Sequence, residues 1–495
     1  MAQKILLIGN LDDVLSVDMR AFIESEALPA YLKRRRWFAS KDKAIESVTL
    51  ARADKLAMEN GEVLLAEIDV HLAGRSERYQ LPLGIGWDDE PHGPLVEQLA
   101  LARVRDGERL GYLTDAFALD ILPLGLMAAL NEKAVAGDVH FTPTHALDRI
   151  PVGEALSILR IAAEQSNSSL ILGNAVIMKI IRRVMLGINP EVEMVRYLTE
   201  QGYANTPPLL GEISRIVAGG LPQSMIVVQK FVANQGDAWE YTLDYLKNGS
   251  AALNDYAAFA STLGMRLAQL HEVLAKPSQN SDFNPKPVAP LDAQAWADAA
   301  RLQLAAALGT LAGLRDQPET VLRDSAFVIQ HADRLLHIVD ELAASGVGSL
   351  QTRIHGDFHL GQVLVADGDA FIIDFEGEPA KPLAMRRAKS SPLRDVAGLL
   401  RSFHYAVAAA QSPDVHFVPQ MSAAFLAAYR AVETAAMPRW LHHETALLDL
   451  FLLEKSAYEI CYEAANRPAW LAIPLRGFAE IAARVLKITP ETPDA

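Results

Sequence analysis

The alternation of apolar and polar positions changes character along this chain. Residues 45–50, 63–70 and 78–83 alternate with the two-residue period of half-buried strands, and Asn60-Gly61 and Gly74-Arg75-Ser76 supply turns beside them. They predict a small sheet-bearing unit over residues 1–92. From 93 to 233, residues 109–113, 169–172, 175–180 and 224–229 again read as strands. Before the last of these, 190–201 has a helical pattern, with Pro190 in its first turn and Glu191 and Glu193 near its N-terminus, where acids favour a helix. From 234 to 495 the period is mainly helical, in Ala/Leu-rich runs at 253–275, 293–314, 319–344, 421–435 and 443–465. Residues 276–290, rich in Pro, Ser and Asn, read as a loop. Only 354–375 reverts to strands, with 363–365 and 370–373 joined through Asp367-Gly368-Asp369 as one hairpin.

That strand-like island carries the chemistry. It begins Ile354-His355-Gly356-Asp357-Phe358-His359-Leu360-Gly361-Gln362 and resumes after the hairpin with Ile373-Asp374-Phe375-Glu376-Gly377. Phosphoryl transfer by kinases uses a carboxylate that orients and deprotonates the attacking hydroxyl, an amide oxygen five residues later for a metal, and a second carboxylate at a strand end. Asp357, Gln362 and Asp374 supply these groups in that order. A tight loop returns the fifth residue beside the base, and a hairpin brings the second acid opposite. Singly, each piece has a bland explanation, since Gly-Asp is a common turn and an acid at a strand end is often a cap. The pair His355 and His359 lacks the further ligands of a zinc site. The three-part array favours catalysis with Mg2+, which takes oxygen ligands and keeps several waters.

Upstream, Lys179 ends a strand-like run and Glu193 falls in the first turns of the following helix, as expected of an ion pair that orients nucleotide phosphates. No GxGxxG is present. Ser166, Asn167, Ser168 and Ser169 stand where a phosphate loop belongs, and Gln229-Lys230-Phe231 closes the last strand as an expected adenine-facing hinge.

The formal charge of −15 argues against a protein devoted to gripping nucleic acid, and the run Lys33-Arg34-Arg35-Arg36 reads as a solvated helix end. One cysteine, Cys461, excludes an intrachain disulfide. No run approaches the roughly 20 apolar residues that span a bilayer. A cytoplasmic location, away from membranes, is the expectation.

With these residues placed, the chain resembles the bacterial maltokinases, of the aminoglycoside-phosphotransferase-like branch of the protein-kinase-like superfamily. The resemblance rests on the 355–362 motif, the run 373–383 containing Glu376-Gly377-Glu378-Pro379-Ala380-Lys381-Pro382, the segment 391–403, Asn189-Pro190-Glu191-Val192-Glu193, and 458–468. It implies an α+β, bilobal protein-kinase-like fold: an N-terminal cap subdomain (1–92), a mixed α/β nucleotide lobe (93–233) and a mainly α-helical C-lobe (234–495). It also implies that ATP and maltose give ADP and maltose 1-phosphate, with a trehalose synthase as a separate partner supplying maltose. Carried over, it makes Asp357 the base toward the anomeric hydroxyl and Gln362 with Asp374 the metal ligands. Lys179 with Glu193 becomes the phosphate-orienting pair, and Asp395 a support for the catalytic-loop backbone. His355, His359, Glu376 and Arg401 are expected at the acceptor.

A disaccharide site needs polar groups for hydroxyls and aromatic faces for ring patches, and Tyr458, Glu459 and Tyr462 offer both on the last long helical run. Tyr458 and Tyr462, four apart, share a helix face; core packing is the competing reading of such aromatics. Two rival functions stand beside the maltokinase reading: a kinase of the same fold acting on glucosamine, and a non-catalytic kinase-shaped partner of a trehalose synthase.

Overall fold

Where the sequence alternates, two sheets form. The first contains β1 (Ile5–Leu7), β2 (Ile45–Met58), β3 (Gly61–Leu72), β4 (Arg75–Trp87), β5 (Ala100–Asp106) and β6 (Arg109–Asp115), in the order β1-β5-β6-β4-β3-β2. Gly74, at φ +75°, makes the tight turn between β3 and β4 in a conformation that favours glycine. The expected boundary at 92 cuts this sheet and is corrected by it. The hairpin β5–β6 belongs to the cap, because β6 continues the pairing of β4 from Leu83↔Asp115 to Trp87↔Gly111.

The second sheet contains β7 (Val135–Ala136), β8 (Val139–Pro143), β9 (Ile158–Ile161), β10 (Asn167–Leu172), β11 (Val176–Ile181), β12 (Leu209–Ile216) and β13 (Pro222–Lys230). Its order is β7-β8-β12-β13-β11-β10-β9, and the helix Pro190–Glu200 connects β11 to β12. The computed structural model describes residues 5–147, 157–161, 167–217, 219–247, 253–432 and 444–488. Both sheets fall in one unit, Met1–Glu200 with Pro207–Ala233; the second unit comprises Gln201–Thr206 and Asn234–Ala495.

Within the first unit the two sheets share one apolar core, in which Leu56, Val63 and Leu65 meet Leu170, Met178, Ile213 and Ile226. Each such buried side chain contributes about 1.5–3 kcal/mol relative to exposure. Polar groups tie the sheets as well. Arg215 Nε on β12 donates to Glu67 Oε1 on β3 at 2.9 Å, Gln223 Nε2 donates to the same oxygen at 2.8 Å, and Arg215 also reaches Asp54 and Asp138. Arg182, just past β11, pairs with Asp115 at 2.8 Å, and Tyr31 donates to that carboxylate. Backbone bonds from Gln80 N to Arg182 O and from Val184 N to Arg78 O complete the seam.

The second unit is mainly helical. The run expected as one helix over 319–344 is two, Glu319–Gln330 and Ala332–Ala344, because His331 leaves helical geometry and turns its ring Nδ1 onto Phe327 O at 2.8 Å. The helix Ala472–Val485 was not anticipated, and the expected run at 421–435 begins earlier, as Phe417–Ala431, with 433–435 outside the described residues. The hairpin forms from Val363–Ala366 and Asp369–Ile372. Its turn residues Asp367 and Gly368 have φ of +50° and +77°, as a two-residue turn with the native twist requires. Among the described residues no helix is long and apolar enough to cross a membrane.

Arg215 and Glu67 are each 1% exposed, so removing one partner leaves an unpaired buried charge. Arg215→Met is expected to destabilise the protein by about 3 kcal/mol in urea unfolding; a loss below about 1 kcal/mol would show that the pair does not hold the two sheets together.

Candidate active site

A buried carboxylate organises the loop that carries Asp357. Asp395 sits in the first turn of Leu393–Ala409 and is 1% exposed. Its Oδ2 accepts from His355 N–H at 2.8 Å and its Oδ1 from Gly356 N–H at 2.9 Å. His271, from the helix Leu253–Leu274, donates through Nε2 to Oδ2 at 3.1 Å and meets Tyr429 Oη at 2.8 Å through Nδ1. Burial alone would raise the Asp395 pKa. The hydrogen bond from His271, the His271 and His355 rings and the Gly356 N–H outweigh it and hold the carboxyl below the ordinary aspartate value. Gly398, three residues on, lets this helix touch the loop, since a Cβ there would stand 2.4 Å from Phe358 O.

His355 then joins the loop to the segment after the hairpin. Its Nε2–H donates to Ile373 O at 2.9 Å, while Nδ1 accepts from Asp357 N–H at 3.3 Å. These bonds fix the tautomer and set the backbones of Asp357 and Asp374 from one ring. Ile373 N–H also donates to Gln362 O at 3.0 Å. Asp374 has a φ of +64°, a conformation uncommon outside glycine and concentrated at functional sites. One of its carboxylate oxygens lies within 4.8 Å of one of Glu376.

That carboxylate pair is the observation that tests Mg2+. Hard oxygen donors at this spacing suit the ion, and the half-buried Gln362 is tied to the same segment through its backbone O and Ile373 N–H. Asp374, Glu376 and Gln362 would hold it. Glu376, expected at the acceptor, lies beside Asp374.

Several other expected acceptor contacts are internal. His355 is 1% exposed and both its ring nitrogens are engaged. Arg401, 1% exposed, pairs with Glu459 at 2.9 Å, so this pair is structural. Both residues are too buried to meet a sugar. His359 is half-buried; its Nδ1 accepts from Gly361 N–H at 3.1 Å. Burial lowers the His359 pKa against the pull of Asp357. Tyr458 and Tyr462 stack at 6.2 Å and 28°, and Tyr462 is 44% exposed, which rules out core packing for it.

Lys455 was missed. Its Nζ lies 3.5 Å from Asp357 Oδ1 and 3.8 Å from Glu378 Oε1, and it stands 5.6 Å from the Tyr458 ring centroid. Burial lowers its pKa, but Asp357, Glu378, Glu459 and Tyr458 outweigh this and raise it above the ordinary lysine value. The available signal was its place three residues before Tyr458 on one helix face.

In the first unit, Lys179 Nζ pairs at 2.8 Å with Glu191 Oε1, where Glu193 was expected. Asn189 accepts from the N–H groups of Glu191 and Val192, capping Pro190–Glu200. Glu191 is 2% exposed and Glu193 is half-buried one half-turn on.

The expected phosphate loop lies partly outside the described residues, and its later part, from Asn167, is strand. Ser168 and Ser169 are buried in β10, with Ser168 Oγ accepting from Arg182 Nε at 2.8 Å. Asn167 is half-buried at the start of that strand, and Ser166 lies outside the described residues. At the expected hinge, Gln229 is buried and donates through Nε2 to Pro207 O at 3.2 Å. Phe231 is half-buried, and its N–H donates to Ala175 O at 2.8 Å. The Gln229 side chain thus ties the end of β13 to the segment before β12.

Residues 31–118 match the maltokinase N-terminal cap domain, and residues 157–377 match the phosphotransferase enzyme family. A glucosamine kinase of Streptacidiphilus jiangxiensis is 26% identical over 363 residues, 70% of this chain and 78% of that protein. One of Mycolicibacterium smegmatis is 26% identical over 332 residues, 63% of this chain and 77% of that protein. A solved glucosamine kinase, in complex with glucosamine, ADP and inorganic phosphate, covers 92% of this chain and 96% of its own, with a TM-score of 0.65 at 20% identity. At this identity the likeness establishes the fold, which is the kinase-like phosphotransferase fold.

Asp395 has a lowered pKa in the folded state, so its stabilisation is complete above the ordinary aspartate range and is lost as pH falls below it. Asp395→Asn should cost about 3 kcal/mol at pH 7, and the gap to the unsubstituted protein should narrow below about pH 4. Unfolding curves taken against pH check this; a gap that is constant or widens toward acid would contradict it.

Proposed function

We propose, on the premise that this chain is a phosphotransferase of the kinase-like fold bearing a maltokinase N-terminal cap domain, that it transfers the γ-phosphoryl group of ATP to maltose, giving ADP and maltose 1-phosphate. The observation that carries the reading is the convergence of the Asp357 loop and the Asp374 segment on the His355 ring. A base and a cluster of oxygen donors are thus set by one group, as in-line transfer requires.

In this reading Asp357 orients the anomeric hydroxyl and takes its proton, and Lys179, steadied by Glu191, meets the phosphates of the donor. Mg2+ bound to Asp374, Glu376 and Gln362 would screen the charge of the triphosphate and hold it in place. Tyr458 and Tyr462 offer a stacked, partly exposed platform for the apolar faces of sugar rings. A trehalose synthase is the partner whose product would feed this site. Glucosamine is the second reading of the acceptor, favoured by the similarity to glucosamine kinases.

ADP release measured with maltose and with glucosamine separates the two. Turnover of maltose is expected, and turnover of glucosamine without maltose would move the acceptor to the second reading. Asp357→Asn is expected to lower the rate by about 10³-fold or more while nucleotide affinity changes less than about twofold. An unchanged rate would remove Asp357 as the base.

A further inference from the structure

The base has a fixed cation beside it, which the transfer chemistry does not by itself demand. Lys455 Nζ bridges Asp357 and Glu378, at 3.5 Å and 3.8 Å. On its other side Glu378 meets Lys381 Nζ at 3.1 Å. The next acid on the helix, Glu459, is already matched by the buried Arg401. The carboxylates around the base are therefore balanced by the protein's own cations. None of these acids is left over to receive a cationic substrate.

Lys455 is also placed to meet a substrate. Its side chain is 27% exposed, and Tyr458 and Tyr462 continue from it at three and seven residues along the same helix face. An ammonium group can donate up to three hydrogen bonds and accepts none. It suits the hydroxyl oxygens of a neutral sugar and repels a sugar that carries its own ammonium.

We propose that Lys455 selects the acceptor by charge, admitting uncharged sugars and rejecting amino sugars. The inference rests on the sugar-kinase reading above and refines its choice of acceptor. Lys455 acts here as a specificity residue, and Asp357 retains the proton transfer.

The test compares glucose with glucosamine, which differ in a hydroxyl against an amine at one carbon, at about pH 6.5, where an aliphatic amine of this kind is protonated. Dissociation constants are measured by calorimetry for the unsubstituted protein and for Lys455→Arg, Lys455→Met and Lys455→Glu, so that a variant deficient in transfer still reports. Each variant is first checked for a cooperative unfolding transition. The unsubstituted protein and Lys455→Arg should favour glucose. Lys455→Met should shift the glucose-to-glucosamine preference toward glucosamine by about tenfold or more, and Lys455→Glu further, as expected when a charge opposed to the ligand is removed and then reversed. A preference unchanged within about twofold in both Lys455→Met and Lys455→Glu would overturn the proposal, as would a preference of the unsubstituted protein for glucosamine. Failure of the maltose reading is seen separately, as absent maltose turnover in the unsubstituted protein while the glucose preference and its response to Lys455 remain.

Discussion

The rest of the active loop depends on one buried anion. Asp395 gathers two consecutive backbone N–H groups and the His271 ring in a place where water cannot compensate any of them. In such surroundings a satisfied carboxylate fixes geometry tightly, and a partly satisfied one costs several kcal/mol. The loop is therefore held in one conformation. From it His355 reaches across to Ile373 O, so the position of Asp374 follows from the position of Asp357. Asp357 and Asp374, separated by a hairpin, thus behave as one piece.

The parts of this arrangement that were legible in the sequence are those with a local signature. The hairpin announced itself through Asp367-Gly368-Asp369 between apolar runs, and the spacing of Asp357, Gln362 and Asp374 is a motif whose geometry is set over a few turns of chain. The strands around Asn60-Gly61 and Gly74 were legible for the same reason, although the structure extends them. What was hidden depends on which way a side chain faces after packing. Glu191 and Glu193 look equivalent in the sequence, and only the seating of their helix against β11 decides between them. Ser168 and Ser169 read as a polar loop, yet they pair with Ile180 and Lys179 as strand residues and turn inward. Arg401 and Glu459, 58 residues apart, gave no sign that they would neutralise each other. The cap boundary failed similarly, because a sheet can recruit a hairpin from beyond a Pro- and Gly-containing turn.

The charges near the base form a second level of organisation. Lys455 places a cation beside Asp357, and Tyr458 and Tyr462 stack next to it; in the proposed reading these side chains face the acceptor. Residues 157–377 match the phosphotransferase enzyme family, whereas in the proposed reading the acceptor is chosen by a few side chains on the helix Glu444–Asn466. A fold hosts many substrates through such local differences, and similarity to glucosamine kinases at 26% identity therefore leaves the sugar to be fixed by this helix.

The most direct measurement of the central claim is a crystal structure with Mg2+, a non-hydrolysable ATP analogue and maltose bound. The account predicts a sugar hydroxyl within about 2.6–3.2 Å of an Asp357 carboxylate oxygen, and Asp374 coordinating the ion. A sugar bound away from Asp357, or an ion held by other residues, would contradict it.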